Sequence, residues 1–298
     1  MTDLNMARHP FTPALPDLEP HRIEDAVERN TTAALAEDIG SGDLTASLLP
    51  ATQTAHARVI SREDAILCGM PWFEACFRKL DPQTNIRWHA REGERIYPNQ
   101  LLCDIEGNAR ALLTAERPAL NFLQTLSGTA TLARRYADAI AGTDAVVMDT
   151  RKTLPGLRIA QKYAIRTGGG ANQRIGLYDG ILIKENHIAS AGGIRPVLEA
   201  AFALKANVPI QIEVETLDEL KEAIDAGANL ILIDNFSLSQ MREAVKIARG
   251  RAVLEASGNI TLDNVRDVAL TGVQRISIGS LTKHVRAVDL SMRVNTRQ

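Results

Sequence analysis

Apolar and polar positions along this chain change rhythm twice. From Ile23 a helical spacing runs through Ala26, Val27 and Leu35, then stops in a turn-rich segment, residues 38–45. Residues 55–61 (AHARVIS) alternate as a strand, residues 72–80 (WFEACFRKL) repeat as a short helix, and residues 91–107 read as two strands around a turn at Pro98-Asn99. Helical spacing returns over residues 112–140. It predicts two helices meeting near Ser127-Gly128, with Arg117 in a first turn beside Pro118, where proline is tolerated. Thereafter apolar runs at 145–149, 181–184, 210–215, 229–234, 252–256 and 275–278 alternate with amphipathic helices near 157–167, 193–206, 216–226, 239–249 and 261–271. Strand-helix alternation with apolar strands predicts a parallel sheet covered by helices. Six such units predict an α/β barrel with fewer than the usual eight strands.

Barrels of this kind work at the C-terminal ends of their strands. Those ends read Asp149-Thr150-Arg151-Lys152, Lys184-Glu185-Asn186-His187, Glu213 with Glu215, Asp234-Asn235, Glu255 to Asn259, and Ser277 to Ser280. Nearly every apolar strand body ends on polar or charged groups. Gathering charge on one rim is costly in desolvation, so stability alone does not explain it. The rim is the candidate active site.

Composition narrows the class. A chain of 298 residues, 45% hydrophobic and 23% charged, fits a soluble protein of two domains or one barrel with an appendage. No apolar run approaches the roughly 18 residues that span a bilayer. The lead containing Pro10, Pro13, Pro16 and Pro20 lacks a signal-peptide core. Cys68, Cys76 and Cys103 are odd in number and lack metal-ligand spacing, which predicts reduced, buried thiols in a cytoplasmic protein. Glu37, Asp38 and Asp43 fit no calcium loop and read as caps and turns.

Charge changes the picture more. The formal net charge is -2, yet residues 149–187 hold seven Lys or Arg against three Asp or Glu, a local +4 that leaves -6 for the remainder. That pattern points to a small polyanion and away from nucleic acid. Arg158, Lys162 and Arg166 recur every four residues and read equally as a solvated basic helix face.

Residue types on the rim then suggest chemistry. Arg151, Lys152 and Lys184 suit carboxylate or phosphate, and Glu213 and Asp234 suit sugar hydroxyls or magnesium. Ser257-Gly258-Asn259 and Gly279-Ser280 offer hydroxyls and backbone N–H groups for phosphate. Gly168-Gly169-Gly170 reads as a helix cap more readily than as a phosphate loop. His187 is a general base or a structural hydrogen-bond partner. Together these point to phosphoribosyl transfer. Transfer to a ring nitrogen requires a cation clamp on the acceptor and charge stabilisation at an oxocarbenium-like carbon, with no covalent nucleophile.

At these residues the chain resembles the quinolinate phosphoribosyltransferase family of type II phosphoribosyltransferases. The resemblance rests on EDIGSGDLT, ERPALNFLQTLSGTAT, DTRKTLPGLR, KYAIRTGGGANQRIGLYDGILIKENHI, EVE, LIDN, EASGNI and TGVQRISIGSLTKH, from about residue 35 onward. It implies an α/β fold: an N-terminal α/β sandwich domain over residues 1–127, with a loosely ordered lead over 1–20, and an irregular, incomplete barrel of about six strands over 128–298. Residues 286–298 would pack back on the first domain. It also implies a cytoplasmic homodimer with shared sites and no nucleic-acid or membrane partner. The implied reaction is magnesium-dependent conversion of quinolinate and phosphoribosyl pyrophosphate to nicotinate mononucleotide, pyrophosphate and carbon dioxide. By the same resemblance Arg117 (reaching into the partner's site), Arg151, Arg174 and Lys184 hold the carboxylates, with Lys152 nearby as a catalytic group. Glu213 and Asp234 face the ribose and metal, and Ser257, Gly258 and Gly279 the phosphate, beside Asn259, Ser280 and His187. Many members carry histidine where this chain has Gln173, which would serve as a substrate contact without charge. Two alternatives stay open: a related enzyme with another acceptor, or a non-catalytic phosphosugar-binding barrel.

Overall fold

A computed structural model describes residues 18–295, so most of the expected loose lead lies outside the described residues. The helices are α1 (Pro20–Ile39), α2 (Met70–Leu80), α3 (Ala109–Ala139), α4 (Arg158–Thr167), α5 (Glu185–Ala191), α6 (Ile194–Ala203), α7 (Leu217–Asp225), α8 (Leu238–Ala248), α9 (Val265–Ala269) and α10 (Ser280–Lys283). The strands are β1 (Thr54–Ser61), β2 (Ala65–Ile66), β3 (Asn85–Trp88), β4 (Arg95–Ile96), β5 (Leu101–Asn108), β6 (Val146–Met148), β7 (Ile181–Ile183), β8 (Ile210–Val214), β9 (Leu230–Asp234), β10 (Val253–Ser257), β11 (Arg275–Ser277) and β12 (Leu290–Asn295). These elements sort into two compact units. One holds residues 18–134, 152–170 and 280 onward; the other holds 135–151 and 171–279. Each unit is assembled from separate stretches of the chain: α3 runs through residue 127, and residues 152–170 join the first unit.

In the first unit a four-stranded sheet has the order β12-β1-β5-β3. Both neighbours of β1 are antiparallel to it, with His56 opposite Asn295 on one side and Thr54 opposite Asn108 on the other. Its core includes Trp72, Phe73, Phe77, Leu102, Ile105, Leu112 and Leu123, all fully buried. Each such side chain contributes about 1.5–3 kcal/mol. The turn at Pro98-Asn99 forms as its residues dictate: Asn99 takes φ +65° and Gln100 N–H donates to Tyr97 O at 3.1 Å. Asp43 is a cap, its carboxylate accepting from Ala46 N at 2.9 Å and from Thr114 Oγ1 at 2.8 Å.

The helix break expected at Ser127-Gly128 is absent. Helix α3 is one continuous element of 31 residues, with Pro118 inside it. Gly128 is there for close packing, since a Cβ would overlap the carbonyl of Arg286. Ser127 is fully buried; its hydroxyl accepts from Cys68 N at 2.9 Å and donates to Cys68 O at 3.1 Å. Packing therefore outweighs local propensity here. Arg117 consequently sits well inside the helix, not in its first turn.

The second unit contains a wholly parallel six-stranded sheet in the order β6-β11-β10-β9-β8-β7. The first strand in the chain lies beside the last, and the others follow in sequence, so the sheet curls into a barrel left open between β6 and β7. An isolated parallel bridge from Met148 to Ala171 extends the β6 side. The strands are less uniformly apolar than their runs suggest. Ile212, Val214, Ile231, Ile233, Leu254, Ala256 and Ile276 form one buried set. Gln211, Glu213, Leu232, Asp234, Glu255, Ser257, Arg275 and Ser277 alternate with them on the opposite face. Helix α9 is shorter than its pattern predicts. Asn264 accepts from Thr261 N at 2.8 Å and donates to Asn259 O at 3.1 Å, and these local bonds hold the preceding residues in turns. Helix α5, not anticipated, begins directly after Lys184.

Candidate active site

The segment that carries Arg174 is pinned on both sides by carboxylates. Asp149, fully buried just beyond β6, accepts from Gln173 N at 2.8 Å and from Asn172 Nδ2 at 2.7 Å. Beyond Arg174, Asp179 accepts from Ile175 N at 2.7 Å and Gly176 N at 2.8 Å. Arg174 Nη1 itself donates to Gly180 O at 2.9 Å. Burial pushes the Arg174 guanidinium below its ordinary pKa; the like charge of Arg151 adds to that, and Asp179 opposes it. Arg174 is thus a partly desolvated cation with a like charge near it.

At the neighbouring ends of β7 and β8, Lys184 Nζ lies 3.0 Å from Glu213 Oε2 and 3.3 Å from Oε1. The lysine side chain is 45% exposed and the glutamate 12%, so the cation can turn to solvent or ligand while the carboxylate stays in place. His187 Nδ1 accepts from Lys184 N at 3.0 Å. This is the structural alternative for His187, and it fixes the backbone from which Lys184 projects.

The end of β10 folds against the end of β9. Asn235 N donates to Ser257 O at 3.0 Å, Asn235 Nδ2 to Asp234 Oδ2 at 2.7 Å, and Asn259 Nδ2 to Asn235 Oδ1 at 3.3 Å. Gly258 has φ +95°, and a Cβ there would overlap the Asn235 carboxamide oxygen. Asn259 follows at φ +50°. Only glycine fits the first position without moving the loop. No helix opens directly behind this loop, since α9 starts at Val265. Gly279 leads into the four residues of α10, of which Ser280 is the first.

The structure thus brings Arg151, Gln173, Arg174, Lys184, His187, Glu213, Asp234, Ser257, Gly258, Asn259 and Gly279 into the parallel-sheet unit. Arg117, Lys152 and Ser280 belong to the other unit. Arg117 is 59% exposed and 4.0 Å from Glu116, a pair at the limit of contact. Lys152 is exposed, and its carbonyl accepts from Thr282 Oγ1 at 2.8 Å. Helix α4 is no simple solvated basic face: Lys162 is fully buried on it, although Arg166 is exposed. Gly168-Gly169-Gly170 ends α4, with Gly169 N donating to Arg166 O at 2.9 Å and Gly170 N to Ile165 O at 2.9 Å.

Beneath the rim, Gln211, which sequence reasoning passed over, joins Gln173, Glu255 and Ser277 in a cluster that the sequence did not reveal. The Gln173 side-chain nitrogen donates to Gln211 Oε1 at 3.2 Å and to Glu255, Gln211 Nε2 donates to Glu255 Oε2 at 3.0 Å, and Ser277 Oγ donates to Glu255. The signal available was polar residues at alternate positions in otherwise apolar strands, as in IQIEV and VLEAS.

Glu213 and Asp234 fit magnesium in one particular way. Among the described residues no three His, Cys, Asp or Glu side chains gather to cage an ion. Two carboxylates on adjacent strands, two registered positions apart, suit a metal that keeps several waters and takes its other ligands from substrate phosphates.

Comparisons with known proteins place the chain in a family. Family models described as quinolinate phosphoribosyl transferase match residues 43–127 for the N-terminal domain and 129–293 for the C-terminal domain. A probable carboxylating nicotinate-nucleotide pyrophosphorylase of Bacillus subtilis is 40% identical over 259 residues, covering 87% of this chain and 90% of that protein. A mitochondrial decarboxylating quinolinate phosphoribosyltransferase of Nicotiana tabacum is 36% identical over 284 residues, covering 88% and 80% respectively. The solved structure of the nicotinate-nucleotide pyrophosphorylase from Francisella tularensis superposes with a TM-score of 0.89 at 44% identity, over 95% of this chain and 100% of that one.

Proposed function

Since the chain belongs to the quinolinate phosphoribosyl transferase family, we propose that it transfers phosphoribose from phosphoribosyl pyrophosphate to the ring nitrogen of quinolinate, with loss of one carboxylate as carbon dioxide. The products are nicotinate mononucleotide, pyrophosphate and carbon dioxide, a step of NAD biosynthesis. The observation that carries this reading is that Arg151, Arg174 and Lys184 all belong to the parallel-sheet unit, where Asp149 and Asp179 hold the backbone on either side of Arg174. Three cations suit an acceptor with two carboxylates.

The roles follow from position. Arg151, Arg174 and Lys184 hold the acceptor carboxylates and turn the ring nitrogen toward the anomeric carbon. Glu213 and Asp234 present negative charge to that carbon as pyrophosphate departs. Lys152, next in the chain to Arg151, offsets charge on the leaving group. Ser257, Gly258, Asn259, Gly279 and Ser280 receive the 5′-phosphate through hydroxyls and backbone N–H groups. His187 acts through the Lys184 backbone. When bound at Glu213 and Asp234, magnesium would supply charge neutralisation to the pyrophosphate. Once ribosylated, the ring nitrogen is cationic. The electron pair left by the departing carbon dioxide stays on the adjacent ring carbon, which takes a proton.

Two wider features belong to the same proposal. The chain works as a homodimer in which Arg117, exposed and only weakly engaged by Glu116, serves the partner's site. It works in the cytoplasm, in keeping with three unpaired, buried cysteines. Among the described residues no helix is long and apolar enough to cross a membrane.

The test is an ultraviolet assay with phosphoribosyl pyrophosphate and magnesium, run with quinolinate and nicotinate side by side. Quinolinate consumed and nicotinate ignored is the expected result; the reverse preference, or no turnover with either, contradicts the proposal.

A further inference from the structure

Glu255 is fully buried, on the face of β10 opposite its apolar set. It lies in register with Leu232 of β9 and with Arg275 of β11, itself only 7% exposed. A carboxylate removed from water is tolerated only when its oxygens are engaged. Here Gln173 and Ser277 donate to one oxygen and Gln211 to the other, at 3.0 Å. These donors come from three places: β8, β11, and the segment that leads from Ala171 to Arg174. Strand β9 lies between β8 and β10, so the Gln211–Glu255 bond spans the inside of the curled sheet.

The link to the rim runs through Gln173. Its amide nitrogen is directed to Glu255 and Gln211, and its backbone N–H is held by Asp149 at 2.8 Å. The next residue in the chain is Arg174, whose far side is clamped by Asp179 and Gly180. Without a Glu255 carboxylate, the Gln173 carboxamide loses its charged partner, and Gln211, which shares that partner, is released with it.

Resting on the function proposed above, we infer that Glu255 is a positioning residue for acceptor binding: through the Gln173 carboxamide it fixes the backbone from which Arg174 meets the acceptor carboxylates. Gln173 is then an internal strut, and its effect on quinolinate is exerted through Arg174. A buried carboxylate that served stability alone would affect both substrates alike.

The experiment measures KM for quinolinate and for phosphoribosyl pyrophosphate, with kcat, in the wild type, Glu255→Gln, Gln173→Ala, Gln173→His and the Glu255→Gln/Gln173→Ala double variant. Replacing the carboxylate with an amide turns one acceptor oxygen into an NH2 group, set against a donor that formerly met an acceptor. Glu255→Gln and Gln173→Ala should each raise KM for quinolinate about tenfold or more, and move KM for phosphoribosyl pyrophosphate by less than about threefold. The double variant should be no worse than the more impaired single, because both break the same link. Histidine at 173 carries a ring N–H able to reach the carboxylate, so Gln173→His should recover most of the quinolinate affinity.

Equal rises for both substrates, multiplicative effects in the double variant, or no change in KM for quinolinate would each overturn the inference while leaving the function intact. Failure of the wild type to use quinolinate would instead overturn the function, and the inference with it. Should Glu255→Gln not fold, the two Gln173 variants decide alone, by the same split between substrates and the same rescue by histidine.

Discussion

Lys184 Nζ rests 3.0 Å from Glu213 Oε2 across two neighbouring strand ends, a pairing of the cation proposed for the acceptor with the carboxylate proposed for the ribose. Substrate must separate them, so the two residues should show opposite kinetic signatures. Lys184→Ala should raise KM for quinolinate by about tenfold or more, the loss expected for a charge-assisted hydrogen bond of about 1.5–3 kcal/mol. Glu213→Gln should lower kcat by about a hundredfold while KM for quinolinate stays level or falls, because the lysine is released. Steady-state kinetics on both variants check this. Parallel changes in KM and kcat would show that the pair does not divide its labour as assigned.

Gly258 tests the phosphate loop. At φ +95°, with the Asn235 carboxamide against it, Gly258→Ala must shift the Ser257–Asn259 turn. The strain amounts to about 1–3 kcal/mol. KM for phosphoribosyl pyrophosphate should rise about tenfold or more, with a smaller change for quinolinate. An unchanged KM for phosphoribosyl pyrophosphate in a folded variant would remove this loop from the phosphate site.

Much of this was legible in the chain, for reasons that individual residues make plain. Parallel strands advertise themselves as apolar runs flanked by amphipathic helices, and the polar groups that end them could be read directly. Lys184, Glu213, Asp234 and the Ser257–Asn259 turn are all found at strand ends. What escaped was tertiary. The spacing around Ser127 and Gly128 looks like a helix break, and only the close approach of Cys68 and Arg286 shows why a helix needs small residues there. Glu255 reads as one more rim carboxylate, because sequence does not show that Gln173, Gln211 and Ser277 converge on it. The resemblance implies the return of residues 286–298 but not its form, a strand β12 paired along β1.

Lys152 is exposed, and its carbonyl accepts from Thr282 Oγ1 at 2.8 Å. A Lys152→Ala variant shown to be folded should lose turnover by at least about a hundredfold, as other removed charge stabilisers do. Near-normal kcat would take Lys152 out of the mechanism.

Acid should loosen the return of the chain end onto β1. Glu63 accepts from Arg286 Nη1 at 2.7 Å and from Asp289 N at 2.7 Å, just ahead of β12. The Arg286 bond, then the Asp289 amide, hold its carboxyl below the ordinary 4.5. A depressed carboxylate adds stability that is complete above its unfolded value and disappears as pH falls through the folded value. Glu63→Gln should thus be less stable than wild type at neutral pH, by about 1 kcal/mol or less for so accessible a pair. The difference should narrow as pH falls below about 4.5 and vanish below the folded value, where wild type has lost the same contribution. Denaturant titrations at pH 7 and pH 3.5 would check it; a gap that stays as wide in acid would show that the ion pair is not its source.

The central claim is that one site couples ribosyl transfer to decarboxylation. The most direct measurement uses quinolinate labelled in its 2-carboxylate, with phosphoribosyl pyrophosphate and magnesium, following released label and pyrophosphate together. The account predicts one labelled carbon dioxide for each pyrophosphate, with nicotinate mononucleotide as the nucleotide product. Pyrophosphate released with the label retained, or no release of either by folded protein, would contradict it.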